Sequence, residues 1–187
     1  MRWRALRVAA GVVAFSLMTS MSANAYILMP GVWNPATARY SNSNIYPMSS
    51  TWMSVAYGAA GTWTAVFICP FSIVRDEAYG DLWGSTLGAY NRGVDSGRLA
   101  VTQYTAVNGT IYRAWTWVNT YYPWSTSGST TAFDLQSCLT HEFGHWVPLA
   151  DVTAPTDATM YRTMAKGETM KRSLAADDIN GVRAKYP

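Results

Sequence analysis

Apolar residues recur at the 3.6-residue period of a helix in three stretches, each preceded by a residue that can cap a helix. The first stretch follows a serine at position 49 or 50, the second follows Asp134, and the third follows Ser173. In that order, the apolar positions are Trp52, Ala56, Ala59 and Trp63; Leu135, Cys138 and Leu139; and Leu174, Ile179 and Val182. The pattern therefore predicts three helices.

β-Branched and aromatic residues concentrate in shorter stretches, which predicts strands. In chain order these stretches are Thr37–Tyr40, Thr64–Ile68, Phe71–Val74, Leu99–Ala106 and Thr110–Asn119. Asn108-Gly109 separates the last two and is typical of a hairpin turn. Residues 81–97, 120–131 and 148–167 carry turn residues or no clear period, which predicts loops. The order of elements indicates an α+β fold, with a sheet and one early helix followed by a second and a closing helix.

The first 25 residues have the pattern of a secretory signal peptide. Arginines at positions 2, 4 and 7 precede an apolar run over residues 8–18, and Ala23-Asn24-Ala25 matches a small-x-small cleavage signature. The run is short for a membrane span, although an uncleaved anchor is the alternative interpretation. We expect export, cleavage after Ala25, and a mature protein of residues 26–187 that forms one domain without a membrane anchor.

Cleavage would remove the excess positive charge. The whole chain has 14 basic and 11 acidic residues, for a formal net charge of +3, and three of the basic residues are the leader arginines. The remaining 11 basic and 11 acidic residues balance, so the charge gives no indication of a nucleic-acid partner.

The two cysteines, Cys69 and Cys138, predict a disulfide because exported proteins fold in an oxidising compartment. Closing a loop of this length would stabilise the fold by roughly 4 kcal/mol in the chain-entropy model. Two buried free thiols are the alternative.

The only two histidines of the chain lie four residues apart, in His141-Glu142-Phe143-Gly144-His145. On the second predicted helix this spacing puts both imidazoles on one face, one turn apart. Glu142 is rotated by roughly 100° from His141, so it can reach a water at a shared metal without ligating the metal. This is the H-E-x-x-H arrangement of zinc hydrolases, with the carboxylate as general base. The alternative is two histidines with satisfied hydrogen bonds on a buried helix.

Further signals follow the histidines. Asp151 lies six residues after His145, and Thr159-Met160-Tyr161 follows Asp151. With these residues, and with residues 133–137 and 172–179, the chain resembles the metzincin zinc peptidases, the matrixins in particular. In that family the residue at the position of Asp151 is the third zinc ligand. The methionine at the position of Met160 belongs to the Met-turn beneath the zinc. The resemblance is specific over residues 133–187 and follows element order alone over residues 33–132.

The resemblance implies a zincin-like α+β fold with a twisted mixed sheet of about five strands, three helices and a substrate cleft. It implies an edge strand that pairs with an extended polypeptide substrate, and by order Leu99–Ala106 is the candidate. The implied function is that of a secreted, monomeric, zinc-dependent endopeptidase. The pattern carries no information on structural calcium.

The resemblance also implies a role for each site residue. His141, His145 and Asp151 would hold one Zn²⁺, and Glu142 would act as general base for the water that attacks the peptide bond. Met160 would form a hydrophobic floor beneath the site without ligating the metal.

Two positions depart from the matrixin pattern. Asp151 replaces the usual histidine, as in the snapalysin-type secreted bacterial proteases, and a carboxylate oxygen is an acceptable zinc ligand. Pro148 replaces a glycine that leaves the helix through a positive φ, and proline fixes φ at about −65°. The turn that carries Asp151 must therefore be built differently, and Asp157 is the reserve ligand. Tyr161 is a candidate to help stabilise the oxyanion, with packing as the alternative role.

The alternative function is a catalytically impaired, metzincin-like module for zinc or protein binding, in which Pro148 removes the third ligand from the site. Glu142 argues against it, because a structural zinc site needs no general base.

We expect the secreted protein to begin at Tyr26, since the cleavage signature ends at Ala25. The intact mass of secreted material measures this directly. A mass that retains Met1, or one that places the first residue inside the sheet region, would contradict the prediction.

Overall fold

The computed structural model describes residues 25–78, 85–93 and 97–187, so residues 1–24 of the predicted leader lie outside the described part of the chain. Helices lie at Ser50–Thr64 (α1), Leu135–Trp146 (α2) and Ala176–Lys185 (α3), with a short 3-10 helix at Met170–Arg172. Strands lie at Val32–Trp33 (β1), Thr37–Asn42 (β2), Ser72–Arg75 (β3), Ser85–Tyr90 (β4), Ala100–Val107 (β5), Thr110–Asn119 (β6), Trp124–Ser125 (β7) and Phe133–Asp134 (β8). Within these ranges no helix has the length and apolar character needed to cross a membrane.

Strands β1 to β6 form one mixed sheet, and β7 and β8 form a separate parallel pair. β5 lies at the edge, antiparallel to β6. The other edge of β6 pairs in parallel with both β1 and β4, and β2 and β3 continue the parallel part of the sheet. The predicted α+β fold, with three helices and a twisted mixed sheet, is confirmed. The predicted edge position of the Leu99–Ala106 strand is also confirmed.

β4 is a strand of the sheet in a stretch that the sequence predicted to be a loop. Gly88 of β4 pairs with Trp117 of β6, and the Trp117 indole occupies the space that a side chain at position 88 would fill. This glycine is therefore needed for close packing inside a strand, where the sequence pattern indicated a turn.

α1 continues through Thr64, where the sequence predicted a strand over residues 64–68. The Thr64 hydroxyl accepts a hydrogen bond from the backbone N–H of Ile73 in β3 at 2.9 Å, which joins the end of α1 to the sheet. Ile68 has a φ of 57°, in the left-handed region that a strand does not use. The strand predicted over Phe71–Val74 is confirmed as β3, shifted by one residue.

α3 begins later than predicted, because Ser173 ends the 3-10 helix and does not cap α3. The backbone N–H of Ala175 donates instead to the carboxylate of Asp178 at 2.9 Å. A carboxylate inside the first turn therefore satisfies the start of this helix. Ile179 and Val182 pack toward the core as predicted.

The predicted disulfide between Cys69 and Cys138 is wrong: both thiols are free. The Cys69 sulfur lies beside the end of α3, 3.9 Å from the Val182 carbonyl and 3.8 Å from that of Tyr186. Cys138 is buried on α2, where it lines the cleft described below. Each thiol therefore has its own surroundings. Burial raises the pKa of Cys138 well above its ordinary value, and the charge of Glu142 adds to this effect.

α2 packs against α1 and β5, and polar groups of its neighbours fix both its position and its start. The Trp63 indole donates to the Thr140 carbonyl at 2.8 Å. Asp134 caps α2 by accepting from the Ser137 N–H at 2.9 Å, and it also accepts from Arg172 Nε at 2.9 Å. Burial opposes ionisation of Asp134, but these hydrogen bonds outweigh it and lower the pKa of the carboxyl.

Gly144 of α2 packs against the thioether of Met160 and the indole of Trp63. A β-carbon at position 144 would overlap the Met160 sulfur and lie 3.0 Å from Trp63 Cζ2. Both neighbours are fully buried, so neither can move without disturbing the core.

We expect Gly144→Ala to lower the free energy of unfolding by about 1–3 kcal/mol, because overpacking outweighs the better helix propensity of alanine. Gly61→Ala is the matched control: nothing lies within 4 Å of its added carbon, so it should stabilise the protein by about 0.5–1 kcal/mol. Urea denaturation at a fixed zinc concentration measures both changes. Stabilisation of both variants to the same extent would contradict the packing argument.

Candidate metal centre

α2 places His141 and His145 one turn apart and fixes the tautomer of both rings. His141 Nδ1 lies 2.7 Å from the Thr159 carbonyl oxygen, and His145 Nδ1 lies 2.8 Å from that of Leu149. A carbonyl only accepts, so each Nδ1 carries the hydrogen. Each Nε2 is therefore left with a lone pair, which is the form that ligates a metal.

The two Nε2 atoms converge on one carboxylate. Asp151 Oδ1 lies 3.1 Å from His141 Nε2 and 3.5 Å from His145 Nε2. Two ligands of a tetrahedral zinc, each about 2.0–2.1 Å from the ion, are about 3.3–3.4 Å apart. The three donor atoms all lie within 4.8 Å of one another, and no other such group of histidine, cysteine or acidic residues occurs in the described ranges. The donor set therefore fits one zinc ion.

Hydrogen bonding and charge couple the three groups. Burial lowers the pKa of His141, but the hydrogen bond that a protonated Nε2 donates to Asp151 and the nearby charge of Glu142 outweigh burial, so the pKa is raised overall. The same hydrogen bond lowers the pKa of Asp151, against the opposing effect of its partial burial. A negative group thus lies beside the two imidazoles, as a cation site requires.

Asp151 reaches the histidines although Pro148 replaces the expected glycine. After α2, no residue of the turn has a positive φ. The Leu149 N–H donates back to the Gly144 carbonyl at 2.8 Å, and Leu149 forms an antiparallel bridge with Leu28. The backbone N–H of Met29 donates to the Pro148 carbonyl at 2.9 Å. The N-terminal segment therefore holds this turn.

Glu142 lies on α2 between the two histidines and is only 6% exposed. Thr102 of β5 is the hydrogen-bond partner of its side chain: Thr102 Oγ1 lies 2.5 Å from Glu142 Oε2. The carboxylate thus lies at the floor of the cleft, with one oxygen held by the sheet.

Met160 is buried against Gly144 of α2, in a loop that α3 holds in place. The carboxylate of Asp178 accepts from the backbone N–H of Thr159 at 2.8 Å and from that of Met160 at 3.1 Å. Since Thr159 also supplies the carbonyl that orients His141, Asp178 supports the imidazole indirectly.

The remaining predicted residues lie in different places. Tyr161 is partly buried and lines the cleft, with the Lys171 ammonium 5.6 Å from its ring. Asp157 is exposed and is not part of the group that could hold a metal. Asp151, and not the reserve candidate, is therefore the carboxylate that meets the histidines.

A cleft of about 570 Å³ contains these groups. Its lining includes residues 97–102, which lead into and begin β5, and the segment Tyr161–Met164. Tyr122, Phe133, Cys138 and Lys171 also line the cleft. The edge strand and the candidate metal centre therefore face the same space.

Sequence reasoning missed Thr102 and Asp178 as parts of the site. Thr102 belongs to a predicted strand, and nothing in its neighbours indicates that it meets α2. The sequence did indicate a capping role for Asp178, since acidic residues are common in the first turn of a helix. Its contact with the Met160 loop is long-range and could not be predicted in this way.

The matrixin family model matches residues 45–187, which include all three helices and every residue of the candidate metal centre. No curated protein matches the chain. A match of this length covers most of the chain and agrees with the mixed sheet, the three helices and the converging donor set. The chain belongs to the matrixin family of zinc metallopeptidases.

Proposed function

We propose that this protein is a secreted zinc endopeptidase, with residues 26–187 as a single, monomeric catalytic domain. The observation that carries the proposal is a buried carboxylate, Glu142, beside three donor groups that suit zinc. A site that only holds a metal needs no such carboxylate. The predicted leader peptide supports secretion.

His141, His145 and Asp151 would hold the zinc ion through two nitrogens and one carboxylate oxygen. A zinc ion in such a site supplies Lewis acidity, which polarises the peptide carbonyl and makes water more acidic. The Thr159 and Leu149 carbonyls keep both imidazoles oriented for this task.

Glu142 would move the protons of the reaction. It takes a proton from the water as the water oxygen attacks the peptide carbonyl carbon, which produces a tetrahedral adduct. It then gives the proton to the amide nitrogen as the carbon–nitrogen bond breaks, so that the products are a carboxylic acid and an amine. The burial of Glu142 limits exchange of this proton with bulk water.

β5 would align the substrate. In the described residues it pairs with β6 alone, so its other edge has backbone groups that an extended peptide can bind by strand addition. The start of this strand forms a wall of the cleft beside Glu142. A polypeptide bound along β5 would therefore pass the candidate metal centre.

We expect Glu142→Gln to keep its zinc and to lose turnover by a factor of about 10² to 10⁴, because the amide cannot accept the proton of the water. Zinc content by elemental analysis and hydrolysis of unfolded casein, with and without chelator, measure the two effects. Near-normal hydrolysis by the zinc-loaded variant would refute the role of Glu142 as general base.

We expect Asp151→Ala to lower zinc affinity by at least about 100-fold, more than the loss of an outer-shell partner usually does. Asp157→Ala is the control, because Asp157 is exposed and lies outside the donor group. Competition with a zinc-binding dye measures both affinities. Full zinc affinity in Asp151→Ala would remove Asp151 from the ligand set.

A further inference from the structure

A closed chain of hydrogen bonds joins two residues of α2 through two strands of the sheet. The Trp146 indole Nε1 lies 2.9 Å from Thr116 Oγ1, Thr116 Oγ1 lies 2.6 Å from Thr102 Oγ1, and Thr102 Oγ1 lies 2.5 Å from Glu142 Oε2. Thr102 and Thr116 are paired residues of β5 and β6. Trp146 follows Glu142 by one helical turn.

The two ends of this chain set its direction. The Trp146 indole N–H can only donate, so Thr116 accepts there and has one proton left. Donation of that proton to Thr102 leaves the Thr102 proton for the Glu142 carboxylate, which as an anion can only accept. In the opposite direction the Thr116 proton would face the indole N–H and have no acceptor. The Glu142 backbone carbonyl, 3.5 Å from Thr102 Oγ1, is a poorly placed alternative acceptor.

The part of the chain behind Thr102 is closed to competing water, whereas Thr102 itself is half-buried and lines the cleft. Trp146 is fully buried and Thr116 is 1% exposed. Among the described residues the Glu142 side chain has no hydrogen-bond partner other than Thr102. The rotamer of Glu142 is therefore fixed by a single hydroxyl, which is itself oriented by the two buried residues behind it.

We propose that Thr102 is a positioning residue that holds Glu142 Oε2 through the Trp146–Thr116–Thr102 chain and leaves Oε1 for proton transfer. The inference rests on the proposed peptidase function. Thr102 belongs to the strand that would align the substrate, so it also fixes the distance between the peptide and its general base. Misplacement of a catalytic group by a fraction of an ångström slows a reaction without weakening substrate binding to the same extent.

The test compares Thr102→Val, which keeps the shape and removes the hydroxyl, with Thr102→Ser, which keeps the hydroxyl. The matched control is Thr37→Val, because Thr37 Oγ1 pairs with Ser72 Oγ at 3.1 Å across β2 and β3, near the edge of the sheet opposite to β5. We expect Thr102→Val to lower kcat by about 10- to 100-fold at full zinc content. Its KM should change by less than about threefold, because substrate binding does not use this hydroxyl. Thr102→Ser and Thr37→Val should stay within about threefold of wild type in both constants.

A second readout does not use activity. In ¹⁵N-labelled protein, the assigned indole N–H resonance of Trp146 should shift in Thr102→Val and in Thr116→Val, since both changes break the chain. It should not shift in Thr37→Val. If Thr102→Val does not fold, Thr102→Ala removes the same hydroxyl with a smaller side chain and replaces it in both measurements.

The outcomes distinguish failure of the positioning role from failure of the proposed peptidase function. Zinc-loaded wild type that hydrolyses no polypeptide would overturn the proposed function, and the positioning role with it. An active wild type whose kcat survives Thr102→Val would overturn the positioning role alone. The positioning role would also be overturned if the kcat of Thr102→Ser were as low as that of Thr102→Val. It would be overturned as well if the Trp146 indole resonance did not shift in either Thr102→Val or Thr116→Val.

Discussion

α2 is a buried helix that carries two imidazoles and a carboxylate, and each of these groups needs a hydrogen-bond partner inside the protein. The protein itself supplies these partners: the Thr159 and Leu149 carbonyls for the imidazoles and the Thr102 hydroxyl for the carboxylate. The partners must therefore come from other segments, and each has to lie within about 3 Å of its group. This requirement determines the positions of most residues that surround the site.

The segments that satisfy α2 also carry the rest of the site. Thr159, whose carbonyl orients His141, directly precedes Met160; Leu149, whose carbonyl orients His145, lies two residues before Asp151. Thr102, the partner of Glu142, lies on the edge strand. The contacts that satisfy the side chains of α2 are therefore the same contacts that bring the residues of the site together. We expect damage to any one of these contacts to affect the ligands as well as stability.

The sequence predicted the features that depend on neighbouring residues, and its errors have physical reasons. The spacing of His141, Glu142 and His145 is a property of any α-helix, and the N-cap at Asp134 is a local contact. Gly88 was misinterpreted because the ring that fills its side-chain space comes from another strand. The predicted pairing of the cysteines depended on the compartment alone, whereas their positions in separate places are a property of the fold.

The sequence by itself determined the donor types, their helical spacing and the position of Glu142 between the histidines, because α-helical geometry requires no distant contact. Only the tertiary structure decided how the Glu142 carboxylate is held. With the two-residue turn at Asn108-Gly109, regular pairing would put Thr102 opposite Trp115 and would leave Thr116 on the other face of the sheet from Thr102. A bulge at Tyr112 shifts the register by one residue, so that Thr102 meets Thr116 and both face α2. Likewise, Asp151 reaches the histidines because Leu149 pairs with Leu28, a contact between segments far apart in the sequence that no local pattern encodes.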